Sequence, residues 1–116
     1  MVNSNLETLE SIMDTGNYWL AGQAAYGSFN LANNPVYPDA KISDYRFVCL
    51  LLTDVNTNNI VYASTIMPTW FFKRMKGAIY AKDGSIYAQC KYDDDTHVSI
   101  GTNTAASYSA ILLGIK

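Results

Sequence analysis

Charge is scarce in this 116-residue chain: Asp, Glu, Lys and Arg make up only 16% of it. Globular domains typically carry about 25%. Asn, Thr and Ser must therefore keep the exterior wet. An excess of basic residues is missing as well. Eight Lys and Arg against ten Asp and Glu leave a net charge of −2, without the basic stripe that nucleic acid requires. The one basic cluster, Lys73, Arg74 and Lys76, reads as a solvated turn. No apolar window approaches the ~18 residues of a transmembrane helix, so no membrane insertion is expected. The opening MVNSNLETLE lacks the basic and apolar regions of a signal peptide, and none is expected. Cysteine occurs twice, as Cys49 and Cys90. Both fall in expected strands and read as buried free thiols.

Aromatic and β-branched residues are plentiful. Nine tyrosines and short runs of Val, Ile, Phe and Thr are separated by Asn, Asp, Gly and Pro, which marks an all-β domain. Residues 1–16 read as a lead-in, with Leu6, Leu9, Ile12 and Met13 on one stripe of a short helix. Residues 17–116 read as one β-sandwich domain. Strands are expected over Asn17–Gly22, Ala25–Leu31, Tyr45–Thr53, Ile60–Met67, Lys76–Lys82, Ser85–Tyr92, Thr96–Thr102 and Ala106–Lys116. Asp83-Gly84 is the best two-residue hairpin signal. Pro68 starts a different element: TWFFKRM, Thr69 to Met75, reads as one helical turn. Its three aromatics are expected to plug one end of the core. About eight short strands separated by regular turn signals predict an antiparallel jelly-roll or Greek-key sandwich.

Two strands carry more apolar sequence than a sandwich needs. A sheet that buries one face should alternate apolar with polar residues. Phe47–Leu52 and Ala110–Ile115 do not alternate. Their second face must be covered, either by the N-terminal segment or by a copy of the same chain. We favour the copy, because homomeric interfaces resemble a domain core cut in half. Leu51, Ile111, Leu113 and Ile115 are the candidate interface residues.

Chemistry is harder to find. Asp93, Asp94, Asp95 and His97 lack calcium-loop spacing, and one His with two separated cysteines makes a poor zinc site. They read as a solvated turn, and no metal or cofactor is expected. No serine sits in a G-x-S-x-G elbow, and the turn carboxylates Asp39, Asp44, Asp54 and Asp83 are expected for backbone reasons. An enzyme is not expected. Aromatic faces flanked by amides bind sugars. Tyr18, Trp19, Tyr26, Tyr37, Tyr62 and Tyr87 are candidates, with Asn33, Asn34 and Asn58 in loops nearby. Tyr37, in the loop NNPVYPD, is the best of them, whereas Trp19 and Trp70 are expected in the core or an interface.

Three segments carry a resemblance. SDYRFVCLLLTD (Ser43 to Asp54) leads a polar Asp-Tyr pair into an apolar strand. STIMPTWFFK (Ser64 to Lys73) runs a strand into Pro and an aromatic turn. YSAILLGIK (Tyr108 to Lys116) closes the chain. Together they resemble the C-terminal β-sandwich tips of tailed-phage tail fibres and related virion receptor-binding proteins. The resemblance implies a homotrimer at the tip of a fibre, assembled with other virion proteins in the host cytoplasm. It also implies contact with a host surface glycan or protein receptor. The alternatives are a monomeric carbohydrate-binding module, or a capsid head-fibre or decoration protein without a receptor.

Overall fold

The computed structural model describes residues 17–116, so the expected helix at Leu6 to Met13 lies outside the described residues. Among the described residues nine strands form two antiparallel sheets, which is the all-β sandwich class expected from the sequence. They are β1 (Asn17–Gln23), β2 (Gly27–Asn30), β3 (Phe47–Asp54), β4 (Ile60–Ala63), β5 (Met67–Pro68), β6 (Ile79–Asp83), β7 (Ile86–Asp94), β8 (His97–Thr102) and β9 (Tyr108–Ile115). One helix, α1 (Thr69–Arg74), and two 3-10 turns, Leu31–Asn33 and Ile42–Asp44, complete the described residues. The first sheet has the order β1-β9-β3-β4, with β5 also paired to β3; the second is β2-β8-β7-β6. In the second sheet β6, β7 and β8 follow one another by short turns, and β2 lies beside β8. That is a Greek-key arrangement.

The core follows from alternation. Val48, Leu50 and Leu52 of β3, with Ala110 and Leu112 of β9, face Ala88, Cys90, Val98 and Ile100 of the second sheet. A bulge between Trp19 and Ala21 breaks the alternation of β1. It lets the consecutive residues Leu20 and Ala21 both join the core. β7 alternates as its sequence predicts: Ala88 and Cys90 are fully buried, while Tyr87, Gln89 and Lys91 are only partly so.

The apolar run of the last strand is explained by its place. β9 lies between β1 and β3, paired with β3 over its whole length and with β1 from Ala110 to Ile115. Its other face, with that of β3, forms a second cluster of Cys49, Leu51, Ile111 and Leu113, packed by Trp19, Ile60 and Ile115. Each of the four is 6% exposed or less.

Three expectations are corrected locally. The strand expected over Ile60–Met67 breaks after Ala63, because the Ser64 hydroxyl accepts from the Leu50 amide at 2.9 Å in place of a backbone carbonyl. The β6–β7 hairpin turns on Gly84-Ser85, one residue later than expected, with Gly84 at φ 64°. The aromatic turn plugs the core with Phe72 alone. Trp70 is 59% exposed and Phe71 is exposed beside it. A single helical turn has one inward side, and Phe72 occupies it against Tyr92, ring centres 5.9 Å apart.

Candidate functional site

The sequence candidates do not converge. Asn58 sits in the β3–β4 turn with φ 57°, a backbone conformation that asparagine tolerates. Asn34 is buried: its side-chain amide donates to the Trp19 and Leu20 carbonyls, and its side-chain oxygen accepts from the Val36 amide. Asn33 is exposed and, with Asn34, lines a small hollow beside Trp19 and Phe29. Tyr37 is half-buried, its ring edge-on to Tyr18 at 5.3 Å. It lines a different hollow, with Lys116 at its rim. The four residues share no cleft.

Tyrosines do gather on the outer face of the second sheet. Tyr80 and Tyr87 meet edge-on at 5.6 Å on neighbouring strands. Tyr26 joins this side because Gly101 lies directly under the Tyr26 backbone, where a Cβ would overlap it. Small-ligand sites are typically concave.

The concave site lies at the end of the sandwich, where β3 begins. Pro68 of β5 pairs with Phe47, and α1 starts immediately after it. The Thr69 amide donates to the Arg46 carbonyl at 2.9 Å, and the Arg46 amide donates to the Ile115 carbonyl at 2.9 Å. These bonds seat α1 beside the start of β3 and open a cleft of about 450 Å³. Tyr45, Arg46 and Phe47 line one side; Pro68, Thr69, Trp70 and Lys73 line the other, with Ser43 at the edge.

Its chemistry is aromatic and cationic. Phe47 and Trp70 are both exposed. The Arg46 guanidinium carbon lies 6.0 Å from the Phe47 ring centre. Lys73 donates to the Ser43 hydroxyl at 2.7 Å and stands 3.9 Å from Asp95. Burial, with Asp44 adding to it, raises the Tyr45 pKa above the usual tyrosine value, so its hydroxyl remains protonated at neutral pH. Thr69 is only 5% exposed, and its hydroxyl has no hydrogen-bond partner among the described residues. Among the described residues no carboxylate lines the cleft.

Trp70, expected in the core or an interface, and Lys73, expected in a solvated turn, line this cleft instead, together with Arg46 and Phe47, for which the sequence carries no expectation of binding. The signal available was the pair of segments YRF and PTWFFK, each joining aromatics to cations. Nothing in the sequence alone says that they meet. In the acidic turn the Asp94 carboxylate accepts from the Thr96 amide and contacts His97 Nδ1, both at 2.9 Å. Among the described residues no His, Cys, Asp or Glu cluster is placed to hold a metal ion, and no helix is long and apolar enough to cross a membrane.

No protein-family model, curated protein or solved structure matches the chain.

Proposed function

We propose that this domain is a non-catalytic, saccharide-binding tip of a virion fibre or tail, acting in host attachment. The cleft carries the reading: a concave site walled by the exposed rings of Phe47 and Trp70, with polar groups at its edge. Aromatic faces bind the apolar faces of sugars, and a few polar groups fix orientation. Among the described residues the lining includes no carboxylate that could serve as a general acid or base, which favours binding over hydrolysis. The virion assignment rests on the resemblance to tail-fibre tips, and two of its three segments, Ser43–Asp54 and Ser64–Lys73, supply the cleft walls. In this reading the domain works as a homotrimer alongside other virion proteins.

A second reading has one observation in its favour. Leu51, Ile111 and Leu113 are buried within the single chain, so covering them does not require a second copy. That favours a monomeric carbohydrate-binding module.

Light scattering separates the two. A mass three times the 12.8 kDa of one chain supports the fibre tip; a monomer favours the module. A glycan array then tests saccharide binding itself. A trimer that binds virion proteins but no glycan and no cell overturns the attachment reading in favour of a head-fibre or decoration role.

A further inference from the structure

Two hollows share a wall. Trp70 and Lys73 line the 450 Å³ cleft and also a neighbouring hollow of about 250 Å³, which Arg74 and Tyr92 complete. Trp70 is therefore a ridge with a depression on each side. Every depression holds a cation. Arg46 belongs to the first, Lys73 to both, and the Arg74 guanidinium carbon lies 5.7 Å from the Trp70 ring centre in the second. Among the described residues neither arginine forms a salt bridge, and Lys73 reaches Asp95 only at 3.9 Å. A chain of net charge −2 thus gathers three cations along two adjoining hollows.

Neutral sugars are usually held by an aromatic face together with amides and carboxylates. Among the described residues neither hollow has an Asn, Gln, Asp or Glu in its lining. The groups on offer are two guanidiniums and an ammonium, which pair with carboxylate and phosphate oxygens through charge-assisted hydrogen bonds.

Resting on the saccharide-binding reading above, we infer that the ligand is an acidic polysaccharide laid across Trp70, with an anionic sugar unit in each hollow. Its charge is carried by carboxylate or phosphate groups. The indole takes the apolar face of a sugar ring, Arg46 and Arg74 take the anions on either side, and Lys73 serves both.

The test is calorimetry on the full chain with four probes: hexagalacturonate, its methyl ester, a phosphomannan and a neutral mannan. Binding to an acidic probe and not to its neutral counterpart, weakened by added salt, is the expected result. The probe that binds tells carboxylate from phosphate. Arg46→Gln, Arg74→Gln and Trp70→Ala each lower that affinity about tenfold, and their circular dichroism spectra stay unchanged because all three side chains are exposed. Equal binding of acidic and neutral probes overturns the acidic ligand and leaves the saccharide reading standing. So does a neutral hit on the array with no binding to either acidic probe. Acidic binding that all three variants retain overturns this site. No binding to any glycan overturns both the inference and the reading beneath it.

Discussion

The Thr69 amide donates to the Arg46 carbonyl at 2.9 Å, and this bond joins the two walls of the cleft. It places Phe72 inward and Trp70 outward on the next turn of chain. The two aromatics should therefore respond oppositely to truncation. Trp70→Ala removes a ring that is 59% exposed and should leave stability within about 0.5 kcal/mol of wild type. Saccharide affinity should fall about tenfold, or ~1.4 kcal/mol. Phe72→Ala empties a fully buried site and should cost about 3–5 kcal/mol. Urea unfolding and calorimetry on both variants check the contrast.

Asn34 looked like a sugar ligand in the sequence, and the structure gives it a different task. Its side chain ties the Trp19 and Leu20 carbonyls to the loop that starts at Val36. Asn34→Ala leaves buried partners unmet, which costs about 1–3 kcal/mol. The loss should appear in urea unfolding. Binding at the Trp70 cleft should be unaffected, since Asn34 does not line it.

Gly101 is fixed by the chain that crosses it. A Cβ there would overlap the Tyr26 backbone, and no side-chain rotation relieves a backbone clash. Gly101→Ala should destabilise by roughly 3 kcal/mol. Gly77→Ala, where an added Cβ meets nothing within 4 Å, is the control and should change little. Thermal unfolding of the two variants checks this.

Leu113 stands among Cys49, Leu51 and Ile111 on the outward face of β9 and β3. Leu113→Asp places an unpaired charge where a leucine is 6% exposed. An uncompensated buried charge typically costs about 3–5 kcal/mol. The variant should lose most of its cooperative unfolding transition. A soluble variant with wild-type stability and native mass would show that this face is not packed.

What the sequence made legible is local. The continuous apolar run in β3, the alternation in β7 and the Gly84 turn each depend on residues a few positions apart. The candidate cleft is different, because Arg46 and Trp70 meet only through the pairing of Phe47 with Pro68. No periodicity encodes that pairing. Trp70 misled for a related reason: an aromatic run suggests burial, but a six-residue helix presents only one side to the core. The Ser64 break in the β4 strand was equally hidden, since it depends on a hydroxyl finding the Leu50 amide across the sheet.

The turn after β7 should give the fold an acid-sensitive contact. The Thr96 amide, and secondarily His97, hold the Asp94 pKa below the ordinary aspartate value of 3.8. A carboxylate whose pKa is lowered by folding favours the folded state while it is ionised. That contribution is complete above the unfolded value and disappears as pH falls through the lower folded value. The stability gap between wild type and Asp94→Ala should therefore be constant above about pH 5 and narrow below pH 3.8. Asp94 is exposed, so solvent screening keeps the gap small. Urea midpoints of both proteins from pH 3 to pH 6 measure it, and a gap that widens toward low pH would mean that the carboxylate is not held by this turn.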